Sequence, residues 1–106
     1  MATVRLVVPE KVEKGRVFEI RALIGHPMET GFRKTATGDA VPRDIITDFA
    51  CRYDGEIVFA WELGTGGAAN PFVAFHTVAT RTGDVELTWT GMNGFKHSER
   101  RKVIVT

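Results

Sequence analysis

The chain has one cysteine and one serine among its 106 residues, and each scarcity removes a class of chemistry. The lone Cys51 excludes an intradomain disulfide and any cysteine-based metal cluster. The lone Ser98 has no base that strand periodicity would set beside it, so a serine nucleophile lacks its activator. No stretch approaches the roughly 20 apolar residues of a membrane helix. The N-terminal apolar run ending at Val8 is too short for a signal peptide and lacks a basic leader and a cleavage site, so the residues alone point to the cytoplasm. A formal net charge of +1 argues against a nucleic-acid groove or a polyacidic partner. The densest basic stretch, Lys96 to Lys102, interleaves four cations with His97 and Glu99. It reads as a solvated strand or loop, with an anion contact as the alternative. Helical periodicity is missing too: no segment keeps an apolar stripe for three turns, and Pro42 to Phe49 comes closest, with room for one turn.

What the chain does contain is short, alternating, β-branched apolar runs ended by Gly, Pro, Asn or Asp, the pattern of an all-β domain. Residues 1–106 form one domain, long enough to bury about two-thirds of its unfolded surface. Val4, Leu6 and Val8 share a face of a first strand stopped by Pro9, and Glu10 to Gly15 is a charged turn. Phe18, Ile20, Ala22 and Ile24 give the cleanest period of two. Phe49, Cys51 and Tyr53 share a face, Asp54-Gly55 marks a tight hairpin, and Ile57, Phe59, Trp61 and Leu63 form the apolar face of the return strand. Phe72 to Ala79 is apolar on both faces and is expected to be covered on both. Val85, Leu87 and Trp89 follow the turn at Arg81 to Asp84, and a last strand lies around Lys102 to Val105. About seven antiparallel strands with turns near every ten residues describe an immunoglobulin-like β-sandwich.

Two connections break this rhythm. Residues 25–43 form a long Gly- and Thr-rich link with a flexible tip at Thr35 to Asp39, and loops beyond about 12–15 residues are uncommon unless functional or disordered. Gly64 to Pro71 is the second. It has neither a GxxxxGK[ST] pattern nor a following helix, so it is a hairpin loop and not a phosphate cradle. The three histidines, His26, His76 and His97, show none of the spacings that put two metal ligands on one face. His76 reads as a hydrogen-bonded sheet residue and His97 as exposed. His26 precedes Pro27 and so projects from a defined bend. For Cys51 three roles stand: a packing residue, an interface or intermolecular disulfide, and a substrate-bearing thiol. The aromatic residues lack interleaved Lys and Arg and read as core, not as a base-stacking platform. Trp61 and Met28 are types enriched at contact surfaces. From the residues alone this is a β-sandwich interaction domain.

Four separated blocks then add a resemblance. Ala22-Leu23-Ile24-Gly25-His26-Pro27-Met28-Glu29-Thr30-Gly31, Pro42-Arg43-Asp44-Ile45-Ile46, Phe49-Ala50-Cys51 with Tyr53-Asp54-Gly55, and Asn70-Pro71-Phe72-Val73-Ala74-Phe75 with Leu87-Thr88-Trp89 resemble the SoxZ family, in order and over Val4 to Val105. The resemblance implies the non-catalytic small subunit of the SoxYZ carrier of bacterial thiosulfate oxidation. In that complex a cysteine on a glycine-flanked C-terminal arm of SoxY holds the sulfur intermediates. Lys102 to Thr106 contains neither Cys nor Gly, so the resemblance assigns this chain to the other subunit. It implies no cofactor, a heterodimer with SoxY, and transient docking to a cytochrome, a thiohydrolase and a sulfane dehydrogenase, without nucleic acid or membrane. It also implies export to the periplasm together with SoxY, replacing the cytoplasmic expectation. The contact or loop-shaping residues it points to are His26, Met28, Glu29, Arg33, Pro42, Arg43, Asn70 and Phe72. Asn70-Pro71 can equally be a turn, and Arg43-Asp44 a local ion pair. Two other readings are a SoxZ-like carrier subunit of another pathway and a small redox or metal sandwich built on the histidines.

Overall fold

Alternation along the chain becomes the two inner faces of a sandwich. The computed structural model describes residues 3–25, 45–62, 72–92 and 94–106. Among these residues eight strands follow one another: β1 (Thr3–Val7), β2 (Lys11–Val12), β3 (Val17–Gly25), β4 (Ile46–Tyr53), β5 (Glu56–Glu62), β6 (Phe72–Val78), β7 (Gly83–Gly91) and β8 (Lys96–Val105). They form a three-stranded sheet ordered β1-β3-β6 and a five-stranded sheet ordered β2-β8-β7-β4-β5. The pairings are antiparallel apart from β2, a two-residue strand lying parallel to the end of β8. This is the expected all-β, immunoglobulin-like sandwich, and β2 is the strand that its shortness hid.

The core is built from the alternating sets. Phe18, Ile20, Ala22 and Ile24 from β3 meet Phe49, Cys51 and Tyr53 from β4 and Val85, Leu87 and Trp89 from β7. Each is nearly or fully buried, and at about 25 cal/mol per Å² of apolar surface these side chains are the main favourable term in folding. Phe49 packs against Trp89 with ring centroids 5.2 Å apart. The β4–β5 turn uses Asp54 (φ 51°) and Gly55 (φ 86°), the two left-handed residues that match a hairpin's twist. At the same end, the Tyr53 hydroxyl donates to the Arg81 carbonyl and accepts from the Thr80 and Arg81 amides, 3.3 and 3.2 Å away. That satisfies the polar tip of a buried ring and ties β4 to the β6–β7 link.

Two bulges set which residues reach the core. Between Ile46 and Asp48 the register with β7 shifts, so Ile46 and Phe49, three apart, are both buried. In a regular strand they would face opposite ways. The same device on β5 corrects an expectation. Cys51 pairs with Phe59 but Arg52 pairs with Ile57, leaving Val58 unpaired and packed toward the core. Ile57 therefore turns outward with Arg52. Of the expected apolar face, Phe59 packs on the core, Ile57 and Trp61 are exposed by 57% and 42%, and Leu63 lies outside the described residues.

Three further expectations change. The last strand begins at Lys96, not near Lys102, because its charges pair across β7 and so mask the apolar rhythm. Over residues 45–49 the chain is extended and enters β4 at Ile46, with no helical turn among the described residues. The third change is in β6. It is buried at Val73 and Phe75 but exposed at Phe72, Ala74, His76 and Val78, because no layer among the described residues covers its second face.

Candidate interaction surface

The face of β6 left exposed among the described residues belongs to a larger surface. The register of the small sheet puts Val17 beside Val78, Glu19 beside His76, Arg21 beside Ala74, and Leu23 beside Phe72. On the other side of β3, Arg5 lies beside Leu23 and Val7 beside Arg21. These positions are out of phase with the buried set Phe18, Ile20, Ala22 and Ile24, so they share the sheet's outer face. The described residues include seven exposed large apolar side chains, and four of them are here: Val7 (62%), Val17 (62%), Phe72 (53%) and Val78 (43%). The charges sit between the apolar rows. Arg21 bonds to Glu19, whose second oxygen is 3.4 Å from His76 Nε2. Arg5 forms no ion pair among the described residues.

The opposite outer face has another character. Arg52, Glu86 and Arg100 lie in one cross-strand row of the five-stranded sheet, with Asp84 beside Lys102. Arg100 Nη2 is 2.7 Å from Glu86 and its Nε 4.0 Å from Asp84. The guanidinium bond from Arg100, with the fields of Arg52 and Lys96, holds the Glu86 carboxyl below its usual range, and Glu86 in turn raises Arg100. Exposed pairs of this kind add little stability, but they leave a face content in water.

Cys51 is fully buried. It pairs with Phe59 on one side and Leu87 on the other, and burial pushes its thiol up to about 12. A protonated, enclosed thiol is a poor nucleophile. His76 stands on the outer face of the small sheet. His97 stands in the large sheet, 3.2 Å from Glu99 and with its ring against Trp89, centroids 6.1 Å apart. It is thus half-buried, against the expectation of exposure. The two histidines serve different carboxylates in different sheets. Among the described residues no group of three or more His, Cys, Asp or Glu side chains could hold a metal ion, and no helix is long and apolar enough to cross a membrane.

Of the residues singled out from the sequence, Phe72 falls on the apolar outer face and Cys51 in the core. His26, Met28, Glu29, Arg33, Pro42, Arg43 and Asn70 lie outside the described residues. Sequence reasoning missed Val7, Val17, Leu23, Val78 and Arg5. The signal was present in part: Val7 and Val17 are β-branched residues out of phase with the core set of their own strands.

The model of the family described as sulphur oxidation protein SoxZ matches residues 4–102. No curated protein matches the chain in sequence. Among solved structures, a superoxide reductase (neelaredoxin) from Ignicoccus hospitalis is 20% identical with a TM-score of 0.73, covering 98% of this chain and 80% of its own. The sulfur carrier protein SoxY from Chlorobium limicola f thiosulfatophilum is 14% identical with a TM-score of 0.69, covering 97% and 78%. A putative superoxide reductase from Thermotoga maritima is 16% identical with a TM-score of 0.63, covering 99% and 85%. At these identities the structures share a fold with the chain and nothing more. The family match has a different reach, since it spans nearly the whole sandwich from β1 into β8, and through it the chain belongs to the SoxZ family of sulphur oxidation proteins.

Proposed function

We propose that the chain is the non-catalytic subunit of a SoxYZ-type carrier, forming a heterodimer with a SoxY whose C-terminal cysteine arm holds the sulfur intermediates of thiosulfate oxidation. The family match over residues 4–102 carries this reading. The enclosed, protonated Cys51 supports it, because a thiol locked in the core cannot pass a sulfur chain between active sites. The chain's task is then to stabilise SoxY and to present it to the cytochrome that loads thiosulfate, the thiohydrolase and the sulfane dehydrogenase. The complex works in the periplasm, reached together with SoxY. A redox or metal protein is disfavoured by the separation of His76 and His97 onto different sheets.

Co-expression with a SoxY carrying a Gly-Gly-Cys-Gly-Gly terminus tests this. The two chains are expected to copurify as a one-to-one complex, and the reconstituted system to lose thiosulfate-dependent cytochrome reduction when this chain is omitted. Separate elution of the chains, or unchanged activity without this one, overturns the reading.

A further inference from the structure

Among the described residues, the two outer faces and the edge of β5 are places where a partner domain can pack. The outer face of the five-stranded sheet is the poorest. Covering it takes Glu86, Arg100 and Asp84 out of water although they are already partnered with one another, and that desolvation needs new charge partners to offset it. The free edge of β5 is interrupted by the bulge at Val58 and flanked by Glu56 and Glu62. Bulges and edge charges are devices that block strand addition. The outer face of β1-β3-β6 is the third, and it exposes Val7, Val17, Phe72 and Val78 where covering apolar surface is favourable.

We propose that a SoxY-type partner packs its own sheet face onto this outer face, with the Val17–Val78 and Leu23–Phe72 rows at the centre and Arg5 meeting a carboxylate of the partner. The inference rests on the heterodimer proposed above and adds where it forms. Two observations select the occupant. SoxY from Chlorobium limicola has the same fold, so the partner is itself a sandwich able to supply a sheet face. Among the described residues the charges on the surface, Arg5 and Arg21 against Glu19, leave one positive charge in excess, with Arg5 as the cation that has no ion-pair partner there. Two copies of this chain facing each other would oppose like charge, whereas an acidic position on a different partner completes the surface. Strand spacing and rise make the face about 14 Å wide and, over the nine residues of β3, about 30 Å long. That is about 400 Å², against roughly 800 Å² that each side of a standard stable interface contributes. The face is thus the apolar centre of the contact, and its rim extends beyond the three strands.

The test is titration of the full chain and its variants into purified SoxY by calorimetry, with circular dichroism and urea midpoints as folding controls. Phe72→Glu and Val78→Glu are expected to raise Kd at least tenfold each while folding as the parent, because both side chains are already exposed. Arg5→Glu is expected to weaken binding and to flatten its salt dependence. Thr88→Glu and Ser98→Glu, on the outer face of the large sheet, are expected to bind as the parent does. Unchanged Kd in the Phe72 and Val78 variants, or loss of binding only in the Thr88 and Ser98 variants, overturns the assignment of the face while leaving the heterodimer standing. A parent chain that forms a homodimer dissolved by Phe72→Glu assigns the face to a second copy and overturns the proposal. A parent chain that does not bind SoxY at all overturns the functional reading itself.

Discussion

Phe59 lies flat on Phe75, with ring centroids 4.5 Å apart and planes within 8° of parallel. The stack joins the edge strand of the five-stranded sheet to the edge strand of the three-stranded one. Both rings also approach Phe49, at 6.1 Å each, so one aromatic cluster closes that flank of the sandwich. Phe59→Ala is expected to lower the free energy of unfolding by about 2–3 kcal/mol, somewhat less than a fully buried Phe because its ring is partly exposed. A double-mutant cycle with Phe75→Ala, read by urea denaturation, is expected to give a coupling of about 0.5–1.5 kcal/mol. Strict additivity of the two losses would mean that the stack contributes nothing beyond area.

Cys51 makes two measurable statements. In the folded chain its thiol is expected to resist thiol reagents until denaturant is added. Its alkaline behaviour follows from linkage: the folded thiol holds its proton up to about pH 12, while the unfolded thiol releases it near pH 8.5. Between those values the unfolded state binds fewer protons, so stability falls as pH rises. From pH 8 to pH 10 the loss attributable to this group is about 2 kcal/mol, measured as the difference between the parent and Cys51→Ala in urea unfolding. Equal pH slopes for the two proteins would contradict the burial of the thiol.

Cys51→Ser separates packing from chemistry. A hydroxyl at this enclosed position is expected to cost about 1–3 kcal/mol, yet to leave the activity of the reconstituted carrier intact. Lost activity with unchanged folding would give the thiol a role in the reaction.

Gly91 is required by close approach. A Cβ there would stand 2.5 Å from the Ile45 carbonyl oxygen and 3.1 Å from the Ile46 Cα, where β7 meets the start of β4. Both obstacles are backbone, so neither can turn aside. Gly91→Ala is expected to destabilise the chain by about 1–3 kcal/mol. At the hairpin tip, Gly55→Ala meets open space and costs only the left-handed conformation, about 1–2 kcal/mol. Thermal unfolding measures both losses, and the loss at Gly91 is expected to persist when a neighbouring side chain is truncated, because the obstacle there is backbone.

The Arg100–Glu86 pair supplies the contrast. Both groups are in water, so Glu86→Gln and Arg100→Ala are expected to leave the urea midpoint unchanged within error. A clear loss in either would show that the charged row contributes to stability and is more than a solvated surface.

Much of this was legible in the sequence because alternation is local. Phe18, Ile20, Ala22 and Ile24 announce an inner face without reference to any other strand, as do Phe49, Cys51 and Tyr53. Asp54-Gly55 names its own turn. β8 was harder to read because Lys96 to Lys102 is a run of polar and charged side chains, which leaves no apolar rhythm. The bulges at Thr47 and Val58 were not legible, since a register shift is a relation between two strands. Ile57 and Phe59 are two apart and look equivalent in the sequence, yet they point to opposite faces.

Period-two patterning and ordered motif blocks were enough to read the sandwich, most of its core and its family, because each is a local property of the chain. Which apolar residues stay in water came from how the strands pack in space. Phe72 to Ala79 is apolar on both faces in the sequence, and a strand's own periodicity cannot say how many layers cover it. That depends on what stacks above, and among the described residues a single layer does. Phe72 and Val78 are left exposed beside Val17 and Leu23 on a face that no other described residue layer covers.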